Sequence, residues 1–330
     1  MSHRAYTQKL AALDALRTAE DSPSTAEQLR KALRDRSNYI VGRAASVCAD
    51  LHLDALIPDL LHAFDRFFVD PVKSDPQCLA KNAIAAALRD LGHHGAEPYI
   101  RGISHIQLEP AWGGRADSAA SLRGTCALAL SECPLDDLEI LTYLGDALAD
   151  PDRNVRVDAA RAIEQLNRPE GALLLRLKLL ISDADPAVMG QCFESMLSLA
   201  PEGGLSFVSR FLKSENVDVQ LEAASVLAQC RDARAIGILR NFWQEPLLTS
   251  DTRQAVLISL GASPVAESTE FLLEVVSREP IALASTALKA LATSRFRDDS
   301  RPRVASALAA RDSTDLTALF ATTFDAGAPA

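Results

Sequence analysis

The stretch DPDRNVRVDAARAIEQL, residues 150–166, decides the fold class of this chain. Counted from its first aspartate as position 0, apolar or small residues fall at positions +5, +9, +10, +13 and +16. This spacing is typical of one stripe along an amphipathic helix. The leading aspartate is suited to cap the helix or the turn before it. The pattern therefore predicts a helix that packs one face against a neighbour.

The same frame recurs at seven further places along the chain. Copies begin at Asp35, Asp75, Asp117, Asp183 and Ser214, and two weaker copies begin near Leu247 and Arg278. The eight copies are spaced by 40, 42, 33, 33, 31, 33 and 31 residues, and each follows a second apolar segment suited to be its antiparallel partner. A period of this length fits a helical hairpin that must stack on its neighbours to bury its apolar face.

The composition agrees with an all-α fold. Alanine and leucine supply 55 and 48 of the 330 residues, whereas aromatic residues make up only 5%. The sequence predicts a right-handed α-solenoid, or superhelix, of about eight hairpins, which is more than half helical, elongated and curved, with no sheet. We expect an N-terminal helical cap at 1–23, a repeat array at 24–296, and a C-terminal helical cap with a flexible tail at 297–330.

The D-x-x-x-x-V-R-x-x-A-A-x-A-I pattern of residues 150–163 resembles the second half of a HEAT repeat. The compact period of 31 to 33 residues is similar to that of the short HEAT-like units in phycobilin-lyase-type proteins. The resemblance covers about residues 24–296. It implies the fold and leaves the activity open, because HEAT arrays mostly act as scaffolds and only a few carry out chemistry or bind DNA.

The sequence lacks the common catalytic and metal-binding motifs. No His-Glu pair occurs, although iron-binding HEAT enzymes of the deoxyhypusine hydroxylase type carry such pairs, and His93 and His94 lie in the polar turn LGHHGAEP. Nucleophile and phosphate-binding glycine motifs are also missing. Five of the six cysteines fall on the apolar stripe and are interpreted as core residues, while Cys78 is unexplained. We expect a chain that is not an enzyme and holds no metal or cofactor.

The charge balance argues against nucleic acid and membranes as partners. Thirty-four basic and 44 acidic residues give a net charge of −10. Four frames carry a basic residue at position +6, namely Lys81, Arg123, Arg156 and Arg253. These residues would form a broken basic stripe in a nucleic-acid binder, but we favour pairing with carboxylates of neighbouring repeats. No apolar run has the length of a signal peptide or a membrane span, so we expect a cytoplasmic protein.

Two turns within the hairpins break the period. The spacings of 40 and 42 place extra residues at 65–75 (DRFFVDPVKSD) and at 105–117 (HIQLEPAWGGRAD). Because adjacent repeats stack, we expect these expanded turns to be neighbours and to form a partner-binding surface. Its predicted residues are Phe67, Phe68, Lys73, His105, Glu109, Trp112, Arg115 and Arg123. Trp112 would serve as an apolar anchor, or alternatively would fold back as a staple over the hairpin ends.

The sequence therefore predicts a non-enzymatic scaffold or adaptor that holds a protein partner on its concave face or on the expanded turns. Two alternatives remain open. A chaperone or lyase of the bilin-lyase type would need a ligand cavity near the expanded turns. A nucleic-acid-binding HEAT-like protein would need one continuous positive face.

Overall fold

The chain folds into helices almost throughout. The computed structural model describes residues 3–17, 23–311 and 313–325. Over these residues it contains 20 α-helices and one two-stranded sheet, and 75% helix overall, which confirms the predicted all-α helical repeat fold. None of the helices in these ranges is long and apolar enough to cross a membrane. The predicted flexible tail includes residues 326–330, which lie outside the described residues.

The chain forms two compact units, Met1–Leu174 and Leu175–Ala330. In the first unit, the first helices of successive hairpins contact one another in one layer, and the second helices form a second layer. The first layer contains α2 (Pro23–Leu33), α4 (Ile57–Arg66), α7 (Ala96–Ile103) and α9 (Asp137–Ala147). The second contains α1 (His3–Leu16), α3 (Asn38–Asp50), α6 (Leu79–Asp90), α8 (Ala120–Leu130) and α10 (Arg153–Leu166). A short helix, α5 (Pro71–Ser74), and a 3-10 turn, Pro76–Cys78, precede α6.

The second unit repeats this two-layer arrangement. Its second helices are α12 (Pro186–Leu199), α14 (Val217–Gln229), α16 (Ser250–Gly261) and α18 (Ile281–Thr293), followed by α20 (Thr314–Phe320). Its first helices are α13 (Pro201–Val208), α15 (Ala233–Trp243), α17 (Glu267–Arg278) and α19 (Arg297–Arg311). The boundary between the units falls within α11 (Gly171–Ile181). Short helical segments also lie at Asp54–Leu56 in the first unit and at Ser209–Lys213 and Ala321–Asp325 in the second. Each of the eight sequence frames coincides with a second helix.

Small residues on the second helices explain how these helices approach one another. Ala159 and Ala160, at positions +9 and +10, are fully buried, as the frame predicts. Gly124 on α8 lies so close to α10 that a Cβ atom there would stand 2.3 Å from Oδ2 of Asp158. Gly190 on α12 is covered in the same way by the carboxylate of Glu222 on α14. In each unit, a glycine on one second helix therefore leaves room for a carboxylate side chain of the next.

The residue at position 0 of the frame stabilises the turn before each second helix. Its side-chain oxygen accepts a hydrogen bond from the amide two residues later in five of the eight copies. The pairs are Asp35 with Ser37, Asp117 with Ala119, Asp150 with Asp152, Asp183 with Asp185, and Ser214 with Asn216. The helix N-cap in all five of these copies is the residue at +2, and in three of them its side chain caps the helix, as Asp152 does by accepting from the amide of Asn154. The leading aspartate thus caps the turn.

Candidate functional site

The two expanded turns of the first unit contact each other through side chains and backbone. The backbone amide of Gln77 donates to Oε1 of Glu109 (2.7 Å), and Nε2 of Gln107 donates to the backbone oxygen of Asp75 (2.8 Å). The rings of Phe68 and His105 meet edge to face, with centroids 4.9 Å apart. The structure therefore brings Phe68, His105 and Glu109 of the predicted surface together.

The second expanded turn forms a β-hairpin, so the prediction that the chain contains no sheet is wrong. Strand β1 (Leu108–Ala111) pairs antiparallel with β2 (Gly114–Asp117). Pro110 prevents a helix here, and Gly113 and Gly114 have φ values of 87° and 152° that other residues rarely adopt. Trp112 and Gly113 form the two-residue turn between the strands. The extra length of this turn is used to build the hairpin.

A buried ion pair lies beneath the hairpin. Nζ of Lys81 is 2.9 Å from Oδ2 of Asp75, and both side chains are 0% exposed. The carboxylate of Asp75 also accepts from the amides of Ala80 (2.8 Å) and Lys81 (3.0 Å) and from Nδ2 of Asn38 (3.0 Å). Lys81 donates in addition to the backbone oxygen of Phe67 (3.3 Å). A buried pair with this many partners fixes the backbone of the first expanded turn.

The backbone between the first expanded turn and α6 adopts an unusual conformation. Gln77 and Cys78 have φ values of 62° and 54°, and Asp70 has a φ of 48°, all in the left-handed region that non-glycine residues avoid. This conformation lets the carboxylate of Asp75 face the amides of Ala80 and Lys81 rather than the amide two residues later. Such residues persist when surrounding contacts fix them. Here the contacts are the ion pair and the bond from Gln77 to the hairpin.

Arg123 is a buried brace and is not part of an accessible surface. Its guanidinium contacts the carboxylates of Asp117 (2.6 Å) and Asp150 (2.7 Å) and donates to the backbone oxygen of His105 (3.0 Å). Burial alone would raise the pKa of Asp117. Hydrogen bonds from the amides of Gln107 and Ala119 and from Arg123 outweigh that effect and hold this pKa below its usual range. Arg123 therefore connects the base of the hairpin to the next repeat.

The remaining predicted residues of the first turn differ in exposure. Phe67 is buried, and the guanidinium of Arg66 lies 4.8 Å from the centre of its ring. Phe68 is half-buried, with the guanidinium of Arg101 4.0 Å from its ring centre. Lys73 is exposed and pairs with Asp70 at 3.0 Å. Phe67 thus belongs to the core, and Lys73 makes a local surface ion pair.

Glu109 and His105 are both committed to holding the hairpin. Burial would raise the pKa of Glu109, but hydrogen bonds from the hydroxyl of Ser118 (2.7 Å), the side-chain amide of Gln107 (2.6 Å) and the backbone of Gln77 hold it below its usual range. Burial lowers the pKa of His105, whose Nε2 lies 3.2 Å from Oε1 of Gln107. A carboxylate with three donors and an imidazole packed against a phenyl ring act as structural groups at this position.

Trp112 and Arg115 occupy the hairpin tip, which we define as residues 110–116. Trp112 is 104% exposed, so its ring is not a staple over the hairpin ends. Arg115 is exposed and has no carboxylate within ion-pair distance in the described part of the chain. Other large apolar side chains on or next to the two expanded turns are also exposed, namely Val69, Val72, Leu79, Ile106 and Leu108. The tip thus presents an aromatic ring and one free cation on a braced support.

The four basic residues at position +6 do not form a basic stripe. Lys81 and Arg123 are buried in the ion pairs described above. Arg156 donates to the backbone oxygens of Asp150 (2.8 Å) and Pro151 (3.0 Å), and Arg253 donates to the backbone oxygens of Trp243 and Glu245. We expected these residues to pair with carboxylates of neighbouring repeats. Arg123 does so with Asp150, whereas the hydrogen bonds given above for Lys81, Arg156 and Arg253 go to the turn of the residue's own hairpin.

The cysteines and the pair His93 and His94 lie where their contacts serve packing and backbone hydrogen bonding. All six cysteines are free, and five are buried, including Cys78, whereas Cys230 is half-buried although the frame placed it in the core. Burial raises the pKa of the Cys48, Cys78 and Cys192 thiols to about 12, which disfavours the reactive thiolate. The backbone oxygen of His93 accepts from the hydroxyl of Tyr99 (2.9 Å). Within residues 3–17, 23–311 and 313–325, no group of three or more His, Cys, Asp or Glu side chains is placed to hold a metal ion.

Sequence reasoning missed the residues that hold the hairpin in place. Asp75 stood at position 0 of its frame, which signalled a capping role but not an ion pair. Gln107, Gln77 and Ser118 carried no sequence signal, because their partners lie 32 and 9 residues away along the chain. The stacking of two repeats brings Gln77 to Glu109 and Gln107 to Asp75, and the β-hairpin brings Ser118 to Glu109.

Comparisons with known proteins find likeness at the level of structure alone. No family model matches the sequence, and no curated protein matches it. The complex of CpcE and CpcF of phycocyanin lyase from Nostoc sp. is 18% identical over 88% of this chain and 96% of that one, with a TM-score of 0.37. Kap121p bound to Pho4p is 14% identical over 96% of this chain and 39% of that one, with a TM-score of 0.47.

Human deoxyhypusine hydroxylase in complex with glycerol is 18% identical over 76% of this chain and 88% of that one, with a TM-score of 0.30. At these identities and TM-scores, the likenesses say nothing about a partner or an activity of this chain.

Proposed function

We propose that this chain is a non-enzymatic helical-repeat scaffold that binds a protein partner at the hairpin tip. The observation that carries this proposal is Trp112, a tryptophan that is 104% exposed at the end of a hairpin whose base is fixed by buried polar contacts. Exposing such a ring to water gains nothing for the isolated fold. Tryptophan and arginine are the residue types most enriched among the energetic centres of protein interfaces.

The bracing of the hairpin supports a binding role. Glu109 is held by Gln77, Gln107 and Ser118, and Arg123 ties Asp117 to the next repeat. The backbone that carries Trp112 is therefore ordered before any partner arrives. Binding then loses little conformational entropy, which favours affinity. A turn that served only to connect two helices would not need this network.

The other candidate functions have less support. The basic residues that suggested a nucleic-acid binder are engaged in turn hydrogen bonds, so we do not propose that function. A ligand chaperone needs a cavity near the expanded turns. One cavity of about 650 Å³ in the second unit is lined by Leu212, Ile238 and Phe242 among others, and another of about 500 Å³ in the first unit lies between α1 and α2 beside Leu13. Neither lies at the expanded turns.

The test compares Trp112→Ala with Leu247→Ala in partner capture from cells of the native organism. Leu247 is 97% exposed in the second unit, so its replacement removes an equally exposed apolar side chain far along the sequence from the tip. We expect Trp112→Ala to weaken capture by about 30-fold or more, corresponding to a loss of roughly 2 kcal/mol or more at an interface centre. Leu247→Ala should bind like the unchanged protein. Both melting temperatures should stay within about 1 °C of it.

Two outcomes would contradict the proposal. If both variants capture the same partners as the unchanged protein, the tip is not the binding surface. If Trp112→Ala loses binding only at temperatures where its helical circular dichroism signal also falls, Trp112 acts through stability.

A further inference from the structure

The two edges of the hairpin differ in their ability to accept another strand. Ala111 and Gly114 flank the two-residue turn and form a hydrogen-bonded pair, so Pro110 and Arg115 form the next, non-hydrogen-bonded pair. Backbone groups of a non-hydrogen-bonded pair point away from the partner strand. On β1 this outward position is Pro110, which has no N–H to donate. The outer edge of β1 therefore lacks a donor at its centre.

The outer edge of β2 keeps its hydrogen-bonding groups. Arg115 and Asp117 alternate along β2, and the N–H and C=O of each point outward. In the described residues the backbone of Arg115 has no partner for these groups. Exposed strand edges with unpaired groups are the sites at which extended peptides add to a sheet.

The contacts of the hairpin with the rest of its unit leave this edge open. β1 is the strand held against the first expanded turn, because Glu109 binds the amide of Gln77 and the neighbouring Gln107 binds the oxygen of Asp75. The side-chain bonds of β2 are confined to its last residue, Asp117, which contacts Arg123. The first three residues of β2, 114–116, are exposed.

The charge of the tip indicates what such a peptide carries. Arg115 is the one charged residue among residues 110–116, and it has no ion-pair partner in the part of the chain that the structure describes. On an antiparallel third strand, the residue opposite Arg115 places its side chain beside the guanidinium. Two or three residues further toward the C-terminus, the same strand passes Trp112. A peptide with a carboxylate and, two or three residues later, an apolar side chain would therefore complement both Arg115 and Trp112.

The geometry points to β2 as the acceptor for an extended segment of the partner protein. This segment adds antiparallel as a third strand, with an acidic residue opposite Arg115 and an apolar residue against Trp112. The inference rests on the proposed function, since it names how the partner engages the tip. It also specifies the backbone of Arg115, rather than its side chain alone, as a determinant of binding.

The experiment uses the full chain and a random peptide library displayed on phage, selected on the unchanged protein after depletion on Trp112→Ala. Selected sequences are made as labelled peptides and titrated by fluorescence anisotropy against Arg115→Pro, Arg115→Ala and Leu247→Ala. Proline removes the outward amide of β2 and leaves the bonds within the hairpin unchanged, because those involve Gly114 and Ala116. Alanine removes the charge and keeps the amide.

We expect selected peptides to share an acidic residue two or three positions before an apolar one. Arg115→Pro should weaken binding by about 10-fold or more, Arg115→Ala by about 3-fold, and Leu247→Ala not at all. In the unchanged protein, bound peptide should slow hydrogen exchange at the amides of Arg115 and Asp117. This last measurement does not depend on whether the proline variant folds.

Peptides that bind Arg115→Pro as tightly as the unchanged protein, leave the Arg115 amide exchanging freely and lose binding to Trp112→Ala would overturn strand addition while the proposed function stands. Failure to select any peptide that prefers the unchanged protein over Trp112→Ala would also overturn it. Partner capture that ignores Trp112→Ala would contradict the proposed function itself.

Discussion

Replacing Asp75 by asparagine should damage the first unit more than replacing its ion-pair partner Lys81 by methionine. Asparagine keeps the shape of the side chain but removes the negative charge that balances the buried ammonium of Lys81, whose other contacts are the backbone oxygen of Phe67 (3.3 Å) and the ring of Phe68 (5.5 Å to its centre). Asparagine also places an NH₂ group where one carboxylate oxygen of Asp75 accepts hydrogen bonds, so the two donors at that oxygen lose their acceptor. Methionine instead leaves the carboxylate with three donors, from Asn38, Ala80 and the backbone of residue 81.

The sizes of the two effects follow from these partner lists. Removing one member of a fully buried pair costs about 3 to 5 kcal/mol, and Asp75→Asn belongs at the upper part of that range. Lys81→Met loses the hydrogen bonds of the ammonium to Asp75 and to the backbone oxygen of Phe67. It keeps an apolar stem and leaves the carboxylate with three donors that partly compensate its charge, so we expect a smaller cost of about 1.5 to 3 kcal/mol. At roughly 2 to 4 °C per kcal/mol for a unit of this size, we expect the melting temperature to fall by about 8 to 20 °C for Asp75→Asn and by about 3 to 12 °C for Lys81→Met.

Scanning calorimetry of the single variants and of the double variant Asp75→Asn/Lys81→Met provides the measurement. The double variant should lose less than the sum of the single losses by about 2 kcal/mol, because neither charge is then left alone. Hydrogen exchange at Glu109 and Ala116 should accelerate in Asp75→Asn, because the backbone of Asp75 and Gln77 supports the hairpin.

Three results would refute this reasoning. Equal losses for the two single variants would show that the amide donors do not compensate the lone carboxylate. Strict additivity in the double variant would show that the two charges do not interact. A decrease of less than about 1 kcal/mol in the free energy of unfolding for Asp75→Asn would indicate that the ion pair of Asp75 and Lys81 is accessible to water.

Three further predictions concern packing and titration. Ala160→Asp, at a fully buried position of α10, should abolish recovery of folded protein, whereas Arg153→Asp in the exposed first turn should change the melting temperature by no more than about 2 °C; equal behaviour in thermal melts would show that the register is wrong. Gly261→Ala should cost about 1 to 3 kcal/mol in urea unfolding, because the new Cβ would lie 2.9 Å from a backbone oxygen of α18. Its control, Gly237→Ala, meets no atom within 4 Å and should be neutral or stabilising by up to about 1 kcal/mol; the reverse order would contradict the packing. Burial and nearby carboxylates raise the pKa of Glu222 in the folded chain, so the folded state binds its proton more readily than the unfolded state does. The contribution of Glu222 to stability is then fully present below its unfolded pKa and is lost as pH rises through the folded value. Glu222→Gln should therefore melt at a higher temperature than the unchanged protein at pH 7, and this difference in melting temperature should shrink as the pH is lowered toward 4. A difference in melting temperature that stays constant from pH 4 to pH 7 would contradict this.

Much of the repeat architecture could be predicted from the sequence because helical periodicity is a local property. The frame that begins at Asp150 specified which face of α10 is buried, and Ala159 and Ala160 are indeed inaccessible. The two long spacings located the expanded turns in the same way. Pro110 and the two glycines after Trp112 are typical of a β-hairpin, but the prediction followed the helical frames on either side and included no sheet.

The role of each charged side chain could not be predicted, because it depends on which distant group lies beside it. Lys81 and Arg123 occupied the same position in the frame as Arg156, and nothing in the sequence distinguished the buried members from the half-exposed one. Arg123 became a brace because Asp150, 27 residues later, begins the next turn of the stack. Trp112 remained ambiguous between staple and anchor until its full exposure was known.

The sequence by itself determined the positions of the eight second helices, their buried stripes and the two turns that exceed the period, because these depend on spacing along one chain. The tertiary structure decided which polar groups meet between turns, that Cys78 is buried while Cys230 is half-exposed, and that β2 presents its edge to solvent. These outcomes depend on contacts between segments about 30 residues apart, which form only when hairpins stack and exclude water from the space between them.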